Sequence, residues 1–456
     1  MPGRARAALV ALLAVPTVLS ELSTILMEYI DAAMVGRIGP EGAAAIGLVA
    51  SSTWLFWGVM RAATTGFAVQ VAQEIGAGNF RRARSTMVQG FAAALAVAAA
   101  MGTAGAAISR PLPFWLGGDA ALARDASAYF FAFMFFGLPV TVLHVMGVRM
   151  LQAAGDMRTA GVLNILACAL DVAFNFVFIF PSSHFTVFGA HVVLPGLGLG
   201  VLGAALGSVA AEIATGAATL WVLFARQPLL GLKKGERPRF EKAVFSRAFA
   251  IGTPVALESV VMTGAMVAAT AIVAPLGAVA LAANSFAITA ESLCYMPGYG
   301  IGSAATTLVG QAFGAGRKAL ARSLAWTCTW GGMSVMAFTG ALLFAFAPQA
   351  MALLTPDGEV CAAGARILRI EAFAEPMFAA AIVAGGALRG AGDTLVPGIM
   401  NAASIWCVRI PLAALLVRAM GLDGAWVAMA AELCVRGALL LARLSSPAWL
   451  RKAKRQ

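Results

Sequence analysis

Apolar runs long enough to cross a lipid bilayer recur from one end of this chain to the other. A spanning helix needs about twenty mainly apolar residues. Turn and charge signals divide the chain into twelve such segments: 7–35, 44–70, 85–108, 125–150, 158–180, 198–224, 246–273, 278–309, 323–347, 364–388, 395–418 and 422–443. The 456 residues are 61% hydrophobic and 12% charged. That balance excludes an ordinary soluble domain, which averages about a quarter charged residues. The alternating ten-residue strands of a membrane barrel are not seen. The expectation is an all-α polytopic membrane protein.

The twelve segments form two copies of six. GAGNFRRARS at 76–85 returns as GAGRKALARS at 314–323, an offset of 238. The same offset carries Pro16 to Pro254, Gly39 to Gly277 and Gln73 to Gln311. Further along the offset is 237, taking Pro139 to Pro376, AAGD at 153–156 to GAGD at 390–393, and Asn164 to Asn401. Glu212 and Glu432 stand 220 apart, because the uncharged loop 181–196 has no counterpart in the second copy. Six spans is an even number, so both copies enter from the same side, and the two six-helix bundles are related by a pseudo-twofold along the membrane normal. The divisions are 1–224 for the first bundle, 225–245 for a basic linker, 246–443 for the second bundle and 444–456 for a basic tail. The repeat also makes the first segment a retained helix, although its basic start and apolar run resemble a signal peptide.

Net charge is +11. The basic residues sit between apolar runs, which points to the positive-inside rule and not to nucleic acid. Arg81, Arg82, Arg84, Arg149, Arg158, Arg317, Lys318, Arg322, Arg389, the linker and the tail (Arg451, Lys452, Lys454, Arg455) all fall on the side of the N-terminus. Both termini are therefore expected in the cytoplasm. The six cysteines lack metal or disulfide spacing, and His144, His184 and His191 are scattered, so no metal site is expected beyond a possible Na+ site. GAG at 76 and 314 lacks the GK[ST] of a phosphate loop.

An ionisable residue inside a bilayer requires a partner, water or a function. The intramembrane set comprises Glu21, Glu28 and Asp31, then Asp171, Glu212, Glu258, Glu291, Glu371, Glu375, Arg409, Glu432 and Arg436. Asp171 and Asn175 share a helix face, and Ser208 adds a hydroxyl from the next helix. Such a cluster is either a proton or Na+ site or a set of helix-to-helix hydrogen bonds. Glu432 and Arg436, one turn apart, fit a structural ion pair. Glu21 and Glu28 fit water or headgroups as well as function. Glu291 lies beside Tyr295 and a Pro-Gly break, a setting that suits a cavity but is also common in membrane helices.

Pro16…Asp31…Gly36, the paired GAG loops, TTLVGQAFGAG at 306–316, LRGAGDT at 388–394 and the Asp/Asn pair before FIF together resemble the bacterial MATE family of multidrug and toxic-compound extrusion transporters, over about residues 8–440. The resemblance implies a V-shaped molecule with a central cleft in a bacterial inner membrane. It implies a monomer and not an enzyme, exporting amphipathic, often cationic organic compounds in exchange for H+ or Na+, with no other cofactor. In residue terms it implies Asp31, Asp171, Asn175 and Ser208 as the cation-coupling site and Pro16 as the bending point of the first helix. The Asp171–Asn175 order is the reverse of the family's usual Asn–Asp, and Ser208 matches a position that can be Thr. Pro254 repeats Pro16, whereas Ala269 replaces the counterpart of Asp31, so the acid is asymmetric between the copies. In one branch, acids of the seventh and tenth helices couple the ion. Glu258 lies one turn before the first of these and Glu375 near the second, and with Glu291 they form a possible second acid set. The rival expectations are a lipid-linked precursor flippase, for which Arg61 and Arg409 offer little basic charge at depth, a passive channel, and a membrane-embedded enzyme.

Overall fold

The computed structural model describes residues 3–187, 190–233, 235–236 and 239–451. Linker residues Lys234 and Arg237 and the tail residues Lys452, Lys454 and Arg455 lie outside the described residues. The first half is built from α1 (Gly3–Ile38), α2 (Pro40–Gly76), α3 (Phe80–Ile108), the short α4 (Leu112–Trp115), α5 (Ala120–Ala132), α6 (Leu138–Ala153), α7 (Met157–Ile179) and α8 (Gly200–Trp221). The second contains α9 (Lys242–Val273), α10 (Ala278–Gly314), α11 (Lys318–Leu354), α12 (Gly358–Glu371), α13 (Glu375–Gly390), α14 (Leu395–Ser404), α15 (Ile410–Met420), α16 (Leu422–Ser445) and the short α17 (Ala448–Arg451).

By length and composition, ten helices among the described residues can cross a membrane, and eleven if the bent pair Glu41–Ala50 and Ser52–Gly76 is one span. The remaining segment of the expected twelve is the pair α12 and α13, broken at 372–374. Its cause is Pro376, which cannot donate a backbone hydrogen bond and therefore sits at the start of α13. The counterpart Pro139 has a milder effect: α5 runs into α6 through a wide turn, Phe133–Gly137, just ahead of the proline. A second wide turn, Ile405–Arg409, precedes Pro411 and joins α14 to α15. One departure from an all-helical chain occurs in the uncharged loop between α7 and α8. Pro181–Val187 (β1) and Ala190–Leu197 (β2) pair as an antiparallel ribbon.

The repeated glycines have a common backbone reason. Gly39 and Gly277, Gly78 and Gly316, and Gly155 and Gly392 are paired positions, and all have φ between 70° and 123°, a region closed to most side chains.

The halves join by exchanged packing. Helix α1 packs on α7 of its own half and on α10 of the other, while α9 packs on α14 of its own half and on α2. Crossed pairing of this kind is what a twofold between the halves requires. It is tightest at the end carrying the GAG turns. A Cβ on Gly76 would collide with the Gln311 carbonyl, and one on Gly314 with the Gln73 carbonyl. The same two glutamines donate across the junction: Gln73 Nε2 to the Gly390 carbonyl at 2.9 Å, and Gln311 Nε2 to the Ala153 carbonyl at 2.8 Å. Gly390 is the repeat partner of Ala153, so these bonds are one contact made twice.

Candidate functional site

Asp31 (α1), Asp171 and Asn175 (α7) and Ser208 (α8) meet inside the first half. Asn175 Nδ2 donates to Asp171 Oδ2 at 2.9 Å and to Asp31 Oδ1 at 3.1 Å, with Ser208 Oγ at 3.5 Å. An amide nitrogen has two hydrogens, so the two carboxylates use them fully. Asn175 Oδ1 is buried without a donor. It lies against Gly207, where a Cβ would come within 2.9 Å of the Asn175 backbone. A small residue here lets α8 approach α7 closely enough to close the cluster. Asp171 and Asn175 are buried and Asp31 is half-buried.

Glu212 extends the cluster. It stands one turn beyond Ser208, is coupled electrostatically to Asp171, and its Oε2 is buried without a partner. No arginine or lysine forms an ion pair with Asp31, Asp171 or Glu212 among the described residues. Tyr129 borders the same acids and stacks parallel on Phe133, at the mouth of the wide turn in the fourth span. Three carboxylates with amide and hydroxyl oxygens make an acceptor-rich pocket that suits a proton or a small hard cation.

Pro16 is distant from this cluster. Fifteen residues separate it from Asp31, about 22 Å along the helix. Its carbonyl instead receives α7: a Cβ on Gly161 would lie 2.8 Å from it. Thr17 Oγ1, next to it, lies 2.9 Å from the Gly300 carbonyl of α10. The proline is thus the crossing point of α1, α7 and α10. Higher on α1, Tyr29 Oη donates to the Thr289 carbonyl of α10 at 2.5 Å.

The second half carries different groups. Asn164 donates to Ser20 Oγ at 2.8 Å in the first copy, and its counterpart Asn401 donates to Glu258 Oε1 at 2.6 Å in the second. Glu258 occupies the repeat position of Ser20, so it is a substitution of a structural hydroxyl contact. It does not join Glu291 or Glu375. Those two gather with Glu371 around the break between α12 and α13. Glu371 and Glu375 are fully buried, with all four carboxylate oxygens unpartnered, and Glu291 is electrostatically coupled to both. Arg409 shares this field and donates to Met429 Sδ. Glu432 and Arg436 form a buried bidentate pair at 2.8 and 2.6 Å.

Glu212 and Glu371 stood among the intramembrane acids but outside the expected sites. A signal for Glu212 is present in the sequence: Glu432 has Arg436 four residues on, while the matching place after Glu212 is Gly216. The depth assigned to the arginines also needs correction. Arg149 and Arg389 do not lie in loops. Arg389 occupies the last turn of α13, and Arg149 lies within α6, four residues before its end.

The family model MatE matches residues 16–177 and again 254–415, two copies at the offset of the internal repeat. A probable multidrug resistance protein NorM from Pseudomonas aeruginosa is 31% identical over 94% of this chain and 87% of its own length. Another from Thermotoga maritima is 27% identical over 97% of this chain and 92% of its own. Among solved structures, one of MATE in complex with MaL6 superimposes with a TM-score of 0.90 at 18% identity, covering 99% of this chain and 98% of the other. An outward-facing multidrug resistance MATE transporter of the MOP superfamily gives 0.90 at 18% identity, covering 99% and 97%.

Proposed function

Because this chain belongs to the MatE family, we propose that it exports amphipathic, often cationic organic compounds across a bacterial inner membrane by exchange for H+ or Na+. One observation carries the coupling: Asp31, Asp171 and Glu212 converge around Asn175 and Ser208 without a basic partner. A buried carboxylate left in that state is costly unless a proton or a cation neutralises it. Occupation of the cluster and binding of a cationic substrate draw on the same negative charge, so each disfavours the other, which is antiport by linkage. The repeat supports the reading, since the second half keeps Glu432 but neutralises it internally with Arg436.

The GAG turns and their basic residues define the cytoplasmic face, with both termini on that side. The crossed glutamine bonds then close the molecule toward the cytoplasm. Uptake of the ion from outside alters the packing of α1 on α7 and α10, with Pro16 as its pivot, and the two halves rock about the exchanged helix pairs. The transporting unit is a single chain.

Dye efflux from loaded cells, and dye uptake by inverted vesicles, tests this under an imposed pH gradient and separately under a Na+ gradient. One gradient is expected to drive transport, and Asp31→Asn to abolish it with dye binding retained. Undiminished gradient-driven efflux by Asp31→Asn removes that residue from the mechanism. Dissipation of a dye gradient regardless of either ion gradient replaces the antiporter with a channel.

A further inference from the structure

One buried base plays no part in the coupling cluster. His144 of α6 is 3% exposed. Its Nδ1 lies 3.0 Å from Thr219 Oγ1 of α8, and its Nε2 is buried without a partner. The neighbouring orphan on α8 is Glu212 Oε2. A Cβ on Gly216 would lie 3.9 Å from the His144 Cβ, so the imidazole meets α8 at Gly216 and Thr219. Glu212 stands one turn before Gly216 on the same face, about 6 Å along the axis. No ion pair joins His144 to a carboxylate among the described residues. An acid and a base, each with an open position, thus face the same seam at a spacing that suits a bridging water.

The repeat shows what the imidazole replaces. In the second half Glu432 is neutralised by Arg436, the counterpart of Gly216, while the counterparts of His144 and Thr219 are Ala381 and Leu439. Glu432 therefore has a guanidinium that always carries its charge. Glu212 has in that place a base that gains and loses one. A threonine hydroxyl both donates and accepts, so its bond to Nδ1 survives in either neutral tautomer and in the imidazolium. Nε2 is free to be bare or protonated without disturbing the packing. We propose that Glu212 and His144 form a proton relay from the Asp31–Asp171 cluster toward the cytoplasmic end of the first half, so that the coupling ion is H+. The Glu212 carboxyl passes its proton through a water to His144 Nε2, leaving a carboxylate and an imidazolium. The imidazolium then gives up one proton on the cytoplasmic side and returns to the neutral base. Na+ has no equivalent of this step. The relay rests on the antiport reading above and names its ion.

The test uses the full-length protein in proteoliposomes with ethidium as the transported dye. Two rates are read: uptake driven by an imposed pH or Na+ gradient, and ethidium–ethidium exchange with no gradient, which moves no net proton. His144→Gln keeps an amide for Thr219 but cannot carry a proton. Its pH-driven uptake is expected to fall about a hundredfold, the low end for a lost proton-transfer group, while exchange stays within about twofold. His144→Arg gives Glu212 the permanent partner that Glu432 has, so driven uptake should be lost with a melting temperature at or above that of wild type. Driven uptake by His144→Gln within about twofold of wild type overturns the relay. Equal loss of driven uptake and exchange also overturns it, because a purely structural side chain would give that result. Wild-type uptake driven by Na+ and not by a pH gradient overturns the relay and leaves antiport standing. If neither gradient drives wild type, the transport reading fails, and the relay with it.

Discussion

Glu212 and Glu432 occupy the same place in the two copies and predict opposite phenotypes. Arg436→Gln removes two hydrogen bonds, of 2.8 and 2.6 Å, from a fully buried carboxylate. Breaking one side of a buried pair costs about 3–5 kcal/mol, because the remaining charge has no partner. Arg409, which interacts electrostatically with Glu432, offsets part of this. The expected loss is therefore at the low end, about 3 kcal/mol, or roughly 6–12 °C in melting temperature for a cooperative unit the size of one half. The double variant Glu432→Gln, Arg436→Gln leaves two neutral side chains that can bond to each other, and most of the loss should be recovered. Glu212→Gln deletes a carboxylate that has no partner to strand, so its melting temperature should equal or exceed that of wild type, while ion-driven efflux is lost. Heating followed by fluorescence-detected size exclusion reads stability, and dye efflux reads transport. A melting temperature for Arg436→Gln equal to wild type, or a Glu212→Gln variant as unstable as Arg436→Gln, would refute the assignment of one acid to structure and the other to function.

Three further outcomes are expected. Gly207→Ala forces a methyl group against the Asn175 backbone, costing about 1–3 kcal/mol by overpacking and abolishing ion-driven efflux, whereas Gly47→Ala, with open space at its Cβ, should leave both unchanged. Gln73→Ala with Gln311→Ala removes both crossed bonds at about 1 kcal/mol each, and spin-label distances between Asn79→Cys and Arg317→Cys in a cysteine-free background should lengthen; an unchanged distribution would show that the bonds do not hold the junction. The linker is clasped to α3 by Arg84, which donates to both Glu236 oxygens at 2.6 Å, and this bond holds the Glu236 carboxyl below its ordinary range. A depressed acid stabilises the clasp above its unfolded value and releases it as pH falls through the folded value. Limited proteolysis at the linker should therefore be slow at neutral pH, and Arg84→Gln should accelerate it there; equal cleavage rates for variant and wild type would contradict the clasp.

Long apolar runs can bury their backbone polar groups in lipid only as helices, so the sequence by itself determined that this chain spans a membrane many times. Its repeat determined that the two halves are alike, and the paired glycines marked the same turns twice because each needs a positive φ. Interactions within one helix were equally legible, since a spacing of four residues places Glu432 beside Arg436 and Asp171 beside Asn175 whatever surrounds them. Contacts between helices were not legible in this way. Which residues meet across helices depends on where small residues let two backbones approach, as Gly207 does for Asn175 and Gly161 for the Pro16 crossing. Spacing alone could not bring Asp31 to Asp171 and Asn175, because they lie on α1 and α7 and meet only where those helices pack. Nor could it separate Glu258 from Glu291 and Glu375, or show that the same proline widens a turn in one half and breaks a helix in the other. Those outcomes were decided by the tertiary structure, where the cost of a buried charge or a missing backbone hydrogen bond depends on what the neighbouring helices supply.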